Sequence, residues 1–180
     1  MNKTYSRSIR SVAWAYIFLC FHINIGTIDI LPDWWGYCLI ASALPAIIRK
    51  EPSAALLKNF VTAMTVIEVI EWIAKGLGTT MNYYIFSIFV SVIYIYTHFQ
   101  LLTNIADIAD RENAAPHGTA IRGMRSWVVI GVTVTNIVMA FLPNLWLVYG
   151  IAIVNRLIFI ILPAQLFSYA KDEQSRETLH

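Results

Sequence analysis

Eight polar side chains interrupt otherwise apolar stretches of this sequence, and their types can bind a cation or form internal ion pairs. They are His22, Asn24, Asp29, Glu68, Glu71, Asn136, Asn155 and Arg156. Imidazole, carboxylate and amide groups are suitable ligands for metal ions and cationic solutes. Ionisable groups within apolar segments need polar partners, because an apolar surrounding does not solvate charge. We therefore predict that these residues line one shared polar pocket.

The charge that most needs a partner is that of Arg156, which lies near the middle of an apolar run. Helical side chains lean toward the N-terminus of their own helix. In two antiparallel helices, this tilt brings the Arg156 and Glu68 side chains to a similar level along the helix axes. We predict a Glu68–Arg156 ion pair, with Asn155 and Asn136 completing its hydrogen bonds.

The charge balance of the pocket distinguishes two functions. Lys75 follows Glu71 by four residues, so the two side chains share a helix face and an ion pair is predicted. If this pair and the Glu68–Arg156 pair both form, the polar groups only hold helices together. If Lys75 turns away instead, one carboxylate is left in excess, and the pocket would take up a proton, a metal ion or a cationic solute.

Motifs for most other chemistries are absent from the sequence. It contains no H-E-x-x-H, no G-x-S-x-G, no phosphate-binding loop and no dinucleotide fingerprint, and Cys20 and Cys38 form no C-x-x-C. The segment EVIEWIAK loosely resembles the paired glutamates of CAAX-type membrane proteases, but its glutamates are three apart and no arginine follows them. His22, Glu68 and Glu71 are chemically suitable metal ligands, which leaves an intramembrane metal-dependent enzyme as the least favoured alternative. No catalytic residue and no particular cofactor is predicted.

The elements that position these residues follow from composition. With 58% hydrophobic and 13% charged residues and a mean hydropathy of +0.61, 180 residues cannot bury their apolar side chains in a globule. A helix needs about 20 apolar residues to cross a bilayer. Six such runs occur, at residues 12–28, 30–48, 54–74, 83–103, 124–142 and 145–168. The sequence therefore predicts an all-α, single-domain bundle of six transmembrane helices.

The basic residues and the tryptophans predict how this bundle is oriented. Of thirteen Lys and Arg residues, eleven fall at the termini or in the even-numbered connections, leaving Lys75 on the other side and Arg156 within a span. Basic residues favour the cytoplasmic side, so both termini are predicted to be cytoplasmic. All six tryptophans fall at predicted span ends, as expected for side chains that favour the membrane interface.

The connections are predicted from their turn residues. In LPDWW, Pro32 and Asp33 indicate the start of the second helix. Residues 107–123 are predicted to form the main cytoplasmic loop, which begins as a helical extension of the fourth span and breaks at Pro116 and Gly118, with His117 solvated. His98, in the fourth span, is predicted to be a hydrogen-bonded contact between helices, with a role in a proton path as the alternative.

Two resemblances extend this interpretation. The segment INIGTIDILPDWWGY, followed by LIASAL, resembles the N-terminal signature of small, uncharacterised multi-spanning proteins of Gram-positive bacteria, which implies a bacterial plasma membrane but no particular activity. Six spans in 180 residues with cytoplasmic termini is an architecture similar to that of the S components of energy-coupling-factor vitamin transporters. Those proteins hold their ligand in the outer half of the bundle, and Ser11 and Ala15 are a degenerate counterpart of their small-residue motif.

The leading functional prediction is a binding or transport component for a small solute or cation, with an outward-facing pocket. The alternative is an accessory membrane subunit whose polar groups are purely structural. The expected partners are the lipid bilayer, a small solute or cation and, as an open alternative, a membrane partner subunit. The formal charge of +2 gives no reason to expect nucleic acid.

Overall fold

The computed structural model of the protein describes residues 4–21, 24–25, 28–79, 84–141 and 145–178. Within these ranges, the side chains of 24–25, 28, 84–85, 87, 139–141, 145–149, 151–152, 154–156 and 158–159 are outside the description. The predicted all-α class with six helices is confirmed. The helices are α1 (Tyr5–Cys20), α2 (Asp33–Lys50), α3 (Leu57–Gly76), α4 (Tyr84–Arg111), α5 (Ala115–Phe141) and α6 (Leu145–Glu177).

Short elements complete this fold. A single 3-10 turn, Pro52–Leu56, leads into α3. Between α1 and α2, strands β1 (Asn24–Ile25) and β2 (Ile28–Asp29) pair antiparallel, with Asn24 opposite Asp29 and Ile25 opposite Ile28. This hairpin is the only sheet in the described part of the chain.

The six helices pack in chain order and form a closed ring. Each helix contacts the next one along the chain, and α1 closes the ring against α6. Helices α2 and α4 also contact each other directly, so α3 packs on the outer side of these two helices. The core between the helices is apolar and fully buried at Ile9, Ile47, Leu101, Leu102 and Leu166.

The start of α1 and the end of α6 lie at the same end of the ring. Ser6 Oγ donates a hydrogen bond to Glu177 Oε2 (2.6 Å), and Arg10 Nη2 donates one to Gln174 Oε1 (2.6 Å). We call this the terminal end; it holds the start of α1 and the ends of α2, α4 and α6. The opposite end, with the β1–β2 hairpin and the end of α3, is called the hairpin end.

The first predicted helix was placed wrongly. It was expected at 12–28, but α1 ends at Cys20, and Asn24 lies in a strand instead of a helix. The cause is that apolar composition does not distinguish a helix from an extended hairpin of the same residues. The second helix begins at Asp33, as the segment LPDWW indicated, and Pro32 is its N-cap residue.

In the predicted loop at 107–123, the helical extension of the fourth span is confirmed, but the break at Pro116 and Gly118 is wrong. Helix α4 continues to Arg111, and α5 begins at Ala115, so only three residues connect the two helices. Asn113 adopts the left-handed conformation (φ 57°) that is common after a helix end. Pro116 stands in the first turn of α5, where proline needs no hydrogen-bonded N–H. Gly118 packs against α4, where an added Cβ would lie 2.0 Å from Asp110 Oδ1.

The outer faces of the helices are apolar. Large side chains are exposed along α3, α4, α5 and α6, including Val66, Phe89, Val92, Ile130 and Leu157. Among the described residues, two helical segments are long and apolar enough to cross a membrane, Pro52–Gly76 and Ile88–Arg111. Crossings by the remaining helices stay predictions.

Candidate functional site

A group of acidic side chains lies at the hairpin end. Asp33 is in the first turn of α2, while Glu68 and Glu71 are one turn apart on α3. Glu68 interacts electrostatically with Asp33 and Glu71, which repel its negative charge, and with Lys75, which attracts it. We call Asp33, Glu68 and Glu71 the carboxylate cluster.

The carboxylate cluster has one lysine near it. Lys75 Nζ lies 3.6 Å from Glu71 Oε2, which confirms the predicted pair between positions four apart. The lysine side chain is 62% exposed, so water screens much of the attraction. Among the described residues, Glu68 has no hydrogen bond or ion pair of its own. Glu71 thus has an ion-pair partner among the described residues, and Glu68 does not.

Indole rings flank the carboxylate cluster. Trp34, next to Asp33 in the chain, stacks on Trp35 with ring centroids 4.8 Å apart and meets Trp72 edge-on at 6.2 Å. Trp72 Nε1 donates a hydrogen bond to the carbonyl of Asp29 (2.8 Å), which fastens β2 to α3. The Asp29 carboxylate accepts the N–H of Leu31 (3.0 Å), so part of its hydrogen-bonding capacity serves the turn.

A polar column of tyrosines and a histidine continues from the carboxylate cluster into the ring. Tyr37 on α2 and Tyr94 on α4 both interact electrostatically with Asp33 and Glu68. Tyr37 Oη lies 3.3 Å from His98 Nε2, and the Tyr94 ring centroid is 4.2 Å from that of His98. These contacts connect the carboxylate cluster to the buried centre of the bundle.

His98 lies at the inner end of this column, fully buried. Tyr16 Oη on α1 is 3.0 Å from His98 Nδ1, opposite the Tyr37 hydroxyl on the other ring nitrogen. A neutral imidazole donates at one nitrogen and accepts at the other, so both hydroxyls have a suitable partner. The prediction that His98 is a hydrogen-bonded contact between helices is confirmed.

Beyond His98, toward the terminal end, the interior becomes apolar. Leu101, Leu102 and Ile105, on the next turns of α4, are fully buried among the other helices. The next buried polar side chain on α4, Asn104, belongs to a separate group and accepts hydrogen bonds from Gln100 Nε2 (2.8 Å) and Ser53 Oγ (3.3 Å). The polar column is thus joined to the hairpin end and separated from the terminal end.

Of the other predicted pocket residues, the structure describes the side chain of Asn136 alone, so their grouping stays a prediction. Asn136 is exposed on α5. The side chains of His22, Asn24, Asn155 and Arg156 lie outside the described residues.

The predicted Glu68–Arg156 pair falls partly outside the description for the same reason. Helices α3 and α6 are not neighbours in the ring, and their described residues make no contact. The pair would therefore have to reach across the ring, and it stays a prediction.

Sequence reasoning missed the aromatic part of this site. Tyr16, Tyr37 and Tyr94 were not singled out, and Asp33 was interpreted mainly as a helix start. The available signal was the four-residue spacing of Tyr94 and His98, which places a phenol and an imidazole on one face of α4. Only tertiary packing reveals the contributions of α1 and α2.

The described residues do not include three or more His, Cys, Asp or Glu side chains arranged to hold a metal ion. The predicted ligand set of His22, Glu68 and Glu71 includes a residue outside the description, so it stays a prediction. The observed arrangement, a carboxylate cluster beside aromatic rings, suits a cation held by charge and by ring faces.

No protein-family model, curated protein or solved structure matches this chain. The two resemblances noted in the sequence therefore stay predictions.

Proposed function

We propose that this chain is a plasma-membrane protein whose six helices cross the bilayer with both termini in the cytoplasm. Support comes from the exposed apolar side chains along the helices and from the two segments that are long and apolar enough to span. The distribution of charge agrees, because eleven of the thirteen basic residues occur in the sequence at the termini or in the even-numbered connections, which are on the side of the terminal end. On this proposal the hairpin end faces outward.

Within this topology, the protein acts as a binding or transport component for a small cation or cationic solute. The observation that carries the proposal is Glu68, which Asp33 and Glu71 repel and which has no hydrogen bond or ion pair among the described residues, at the hairpin end of the buried polar column. A charge excess near the membrane interior favours a bound cation. The phenol and indole faces beside it add cation–π attraction.

The ligand enters from the hairpin end. The polar column stops at His98, and the fully buried Leu101, Leu102 and Ile105 separate it from the terminal end. A binding component needs no path through this apolar layer. Transport would require the helices to rearrange or a partner subunit to open them.

The experiment measures thermal unfolding of the detergent-purified protein with methylammonium, sodium or calcium as probe cations. We expect at least one probe to raise the unfolding temperature of the wild type and of the matched control Glu177→Gln, whose carboxylate lies at the terminal end. A ligand at 100 times its Kd stabilises by about 2.7 kcal/mol. Glu68→Gln should fold and lose this response. No response in the wild type, or an unchanged one in Glu68→Gln, would contradict the proposal.

A structural membrane subunit is the second candidate, favoured by the Glu71–Lys75 pair and by the satisfied hydrogen bonds of His98. It predicts equal losses of folded protein from Glu68→Gln and Arg156→Leu, with partial rescue in the double variant. No probe cation would then stabilise the wild type.

A further inference from the structure

A second group of ionisable side chains lies at the terminal end, away from the proposed cation site. Lys50, the last residue of α2, bridges two carboxylates: its Nζ donates to Glu112 Oε1 after α4 and to Glu173 Oε1 on α6 (3.0 Å). The same Nζ lies 4.2 Å from the centroid of the Tyr5 ring on α1. Lys50 thus connects α2 with α1, with α6 and with the end of α4.

The second oxygen of each carboxylate is buried and lacks a partner. Among the described residues, Glu112 Oε2 and Glu173 Oε2 accept no hydrogen bond, although the Glu173 side chain is only 6% exposed. The hydroxyls of Tyr5 and Tyr169 are also buried without a hydrogen bond of acceptable geometry. Both tyrosines interact electrostatically with Glu112 and Glu173, so four unsatisfied polar atoms share one small region.

Among the described residues, only a few other ionisable side chains face this region. Lys50 is the cation between the carboxylates, and Arg176 Nη1 donates to the backbone carbonyl of Glu112 (2.6 Å). From α5, the His117 ring packs on Tyr169 at 5.4 Å, while its Nε2 is 2.8 Å from Asp172 Oδ2.

Two ionised carboxylates on one lysine repel each other, and neither Oε2 can donate a hydrogen bond. A proton on one Oε2 makes it a donor. Both carboxyl groups bind the same Nζ, so they are neighbours, and a proton on one can be shared with the other.

We propose that Glu112 and Glu173 together bind one exchangeable proton, and that its release weakens the contact between the ends of α2, α4 and α6. The proton comes from and returns to water at the terminal end, and binding converts one carboxylate to a neutral carboxyl group. Lys50 keeps its charge in both states. The site is independent of the cation site at the hairpin end.

The direction of the pH dependence follows from the charges around Glu112. Burial and the negative charge of Glu173 raise the pKa of Glu112 above its ordinary value, although Lys50 opposes this. Burial lowers the pKa of Lys50, but its hydrogen bonds to both carboxylates outweigh that and raise it, so the lysine stays charged. A carboxyl group with a raised pKa in the folded state contributes stability that is present at low pH and is lost as pH rises through that pKa.

The test is the unfolding equilibrium of the full chain in detergent, measured from about pH 5 to about pH 8. We expect the ratio of folded to unfolded protein to fall with rising pH, by up to tenfold per pH unit for a single proton. Glu173→Gln should flatten this dependence, because Glu112 then keeps Lys50 without a competing carboxylate. The matched control Glu177→Gln, on the same helix, should keep the wild-type slope.

Infrared spectroscopy of the wild type supplies a measurement that does not depend on the variants folding. We expect a protonated-carboxyl band that disappears over the same pH range as the stability. A slope that survives in both Glu173→Gln and Glu112→Gln would overturn the proposal. So would a band that does not titrate, or a slope abolished by sodium or potassium, which would identify a metal ion in place of the proton.

Discussion

The carboxylates at the two ends of the bundle differ in how they are paired. At the terminal end, all seven carboxylates have a partner on another side chain. The pairs are Glu51–Arg111, Asp107–Arg122, Asp110–Arg122, Glu112–Lys50, Glu173–Lys50, Asp172–His117 and Glu177–Ser6. At the hairpin end, Glu71 pairs with the exposed Lys75, whereas Glu68 has no ion pair among the described residues and is repelled by Asp33 and Glu71.

We interpret the terminal end as a region that stabilises the ring of helices and the hairpin end as its functional region. The pairs at the terminal end cross from helix to helix, so their net effect is to fix how the helix ends meet. At the hairpin end, Glu68 is repelled by its neighbours, which is a cost that a bound cation would remove. Functional sites often retain such unfavourable arrangements, and the rest of the fold offsets them.

The largest expected effect comes from removing the lysine of the terminal end. Lys50→Met leaves Glu112 and Glu173 facing each other without a cation, and we expect a loss of about 3 kcal/mol in the free energy of unfolding. Lys75→Met is the matched control at the hairpin end, where an exposed pair four residues apart contributes about 0.5 kcal/mol or less. Unfolding in a detergent titration measures both. Similar losses for the two variants would remove the contrast between the ends.

The next effect lies between the two ends, at His98. His98→Leu leaves the Tyr16 and Tyr37 hydroxyls buried without their shared partner, and we expect a loss of about 2 kcal/mol. Tyr16→Phe removes the hydrogen bond between Tyr16 and His98 and should cost about half as much. A double-mutant cycle on the unfolding free energies checks the coupling. Strictly additive losses would show that the contact is not energetically formed.

The smallest of these effects tests packing near the hairpin end. At Gly36 on α2, an added Cβ would lie 2.9 Å from Leu19 Cγ and 3.0 Å from the Ala15 carbonyl on α1. Gly36→Ala should therefore cost about 1 kcal/mol by forcing α1 and α2 apart. Gly123→Ala, which meets nothing within 4 Å, is the control and should be neutral or slightly stabilising because alanine favours helix. Equal results would mean that the hairpin end is loosely packed as well as rich in carboxylates.

Local patterns predicted much of the fold and only part of the site. Apolar runs indicated six helices, and the spacing of Glu71 and Lys75 predicted their pair, because both depend on neighbours along the chain. The hairpin after Cys20 and the early start of α5 at Ala115 were missed, since composition does not fix where a helix ends. The grouping of Tyr16, Tyr37 and His98 was not predicted, because it depends on three helices meeting and no local pattern encodes that.

Carbodiimide labelling of carboxyl groups, read by peptide mass spectrometry, tests the central claim most directly because it reports on both ends in one sample. The wild-type protein would be labelled with and without the probe cation that stabilises it. At ten times its Kd, a ligand leaves about a tenth of the sites free. We predict that labelling of Glu68 then slows about tenfold while labelling of Glu173 is unchanged. Equal protection at both ends, or none at Glu68, would contradict the account.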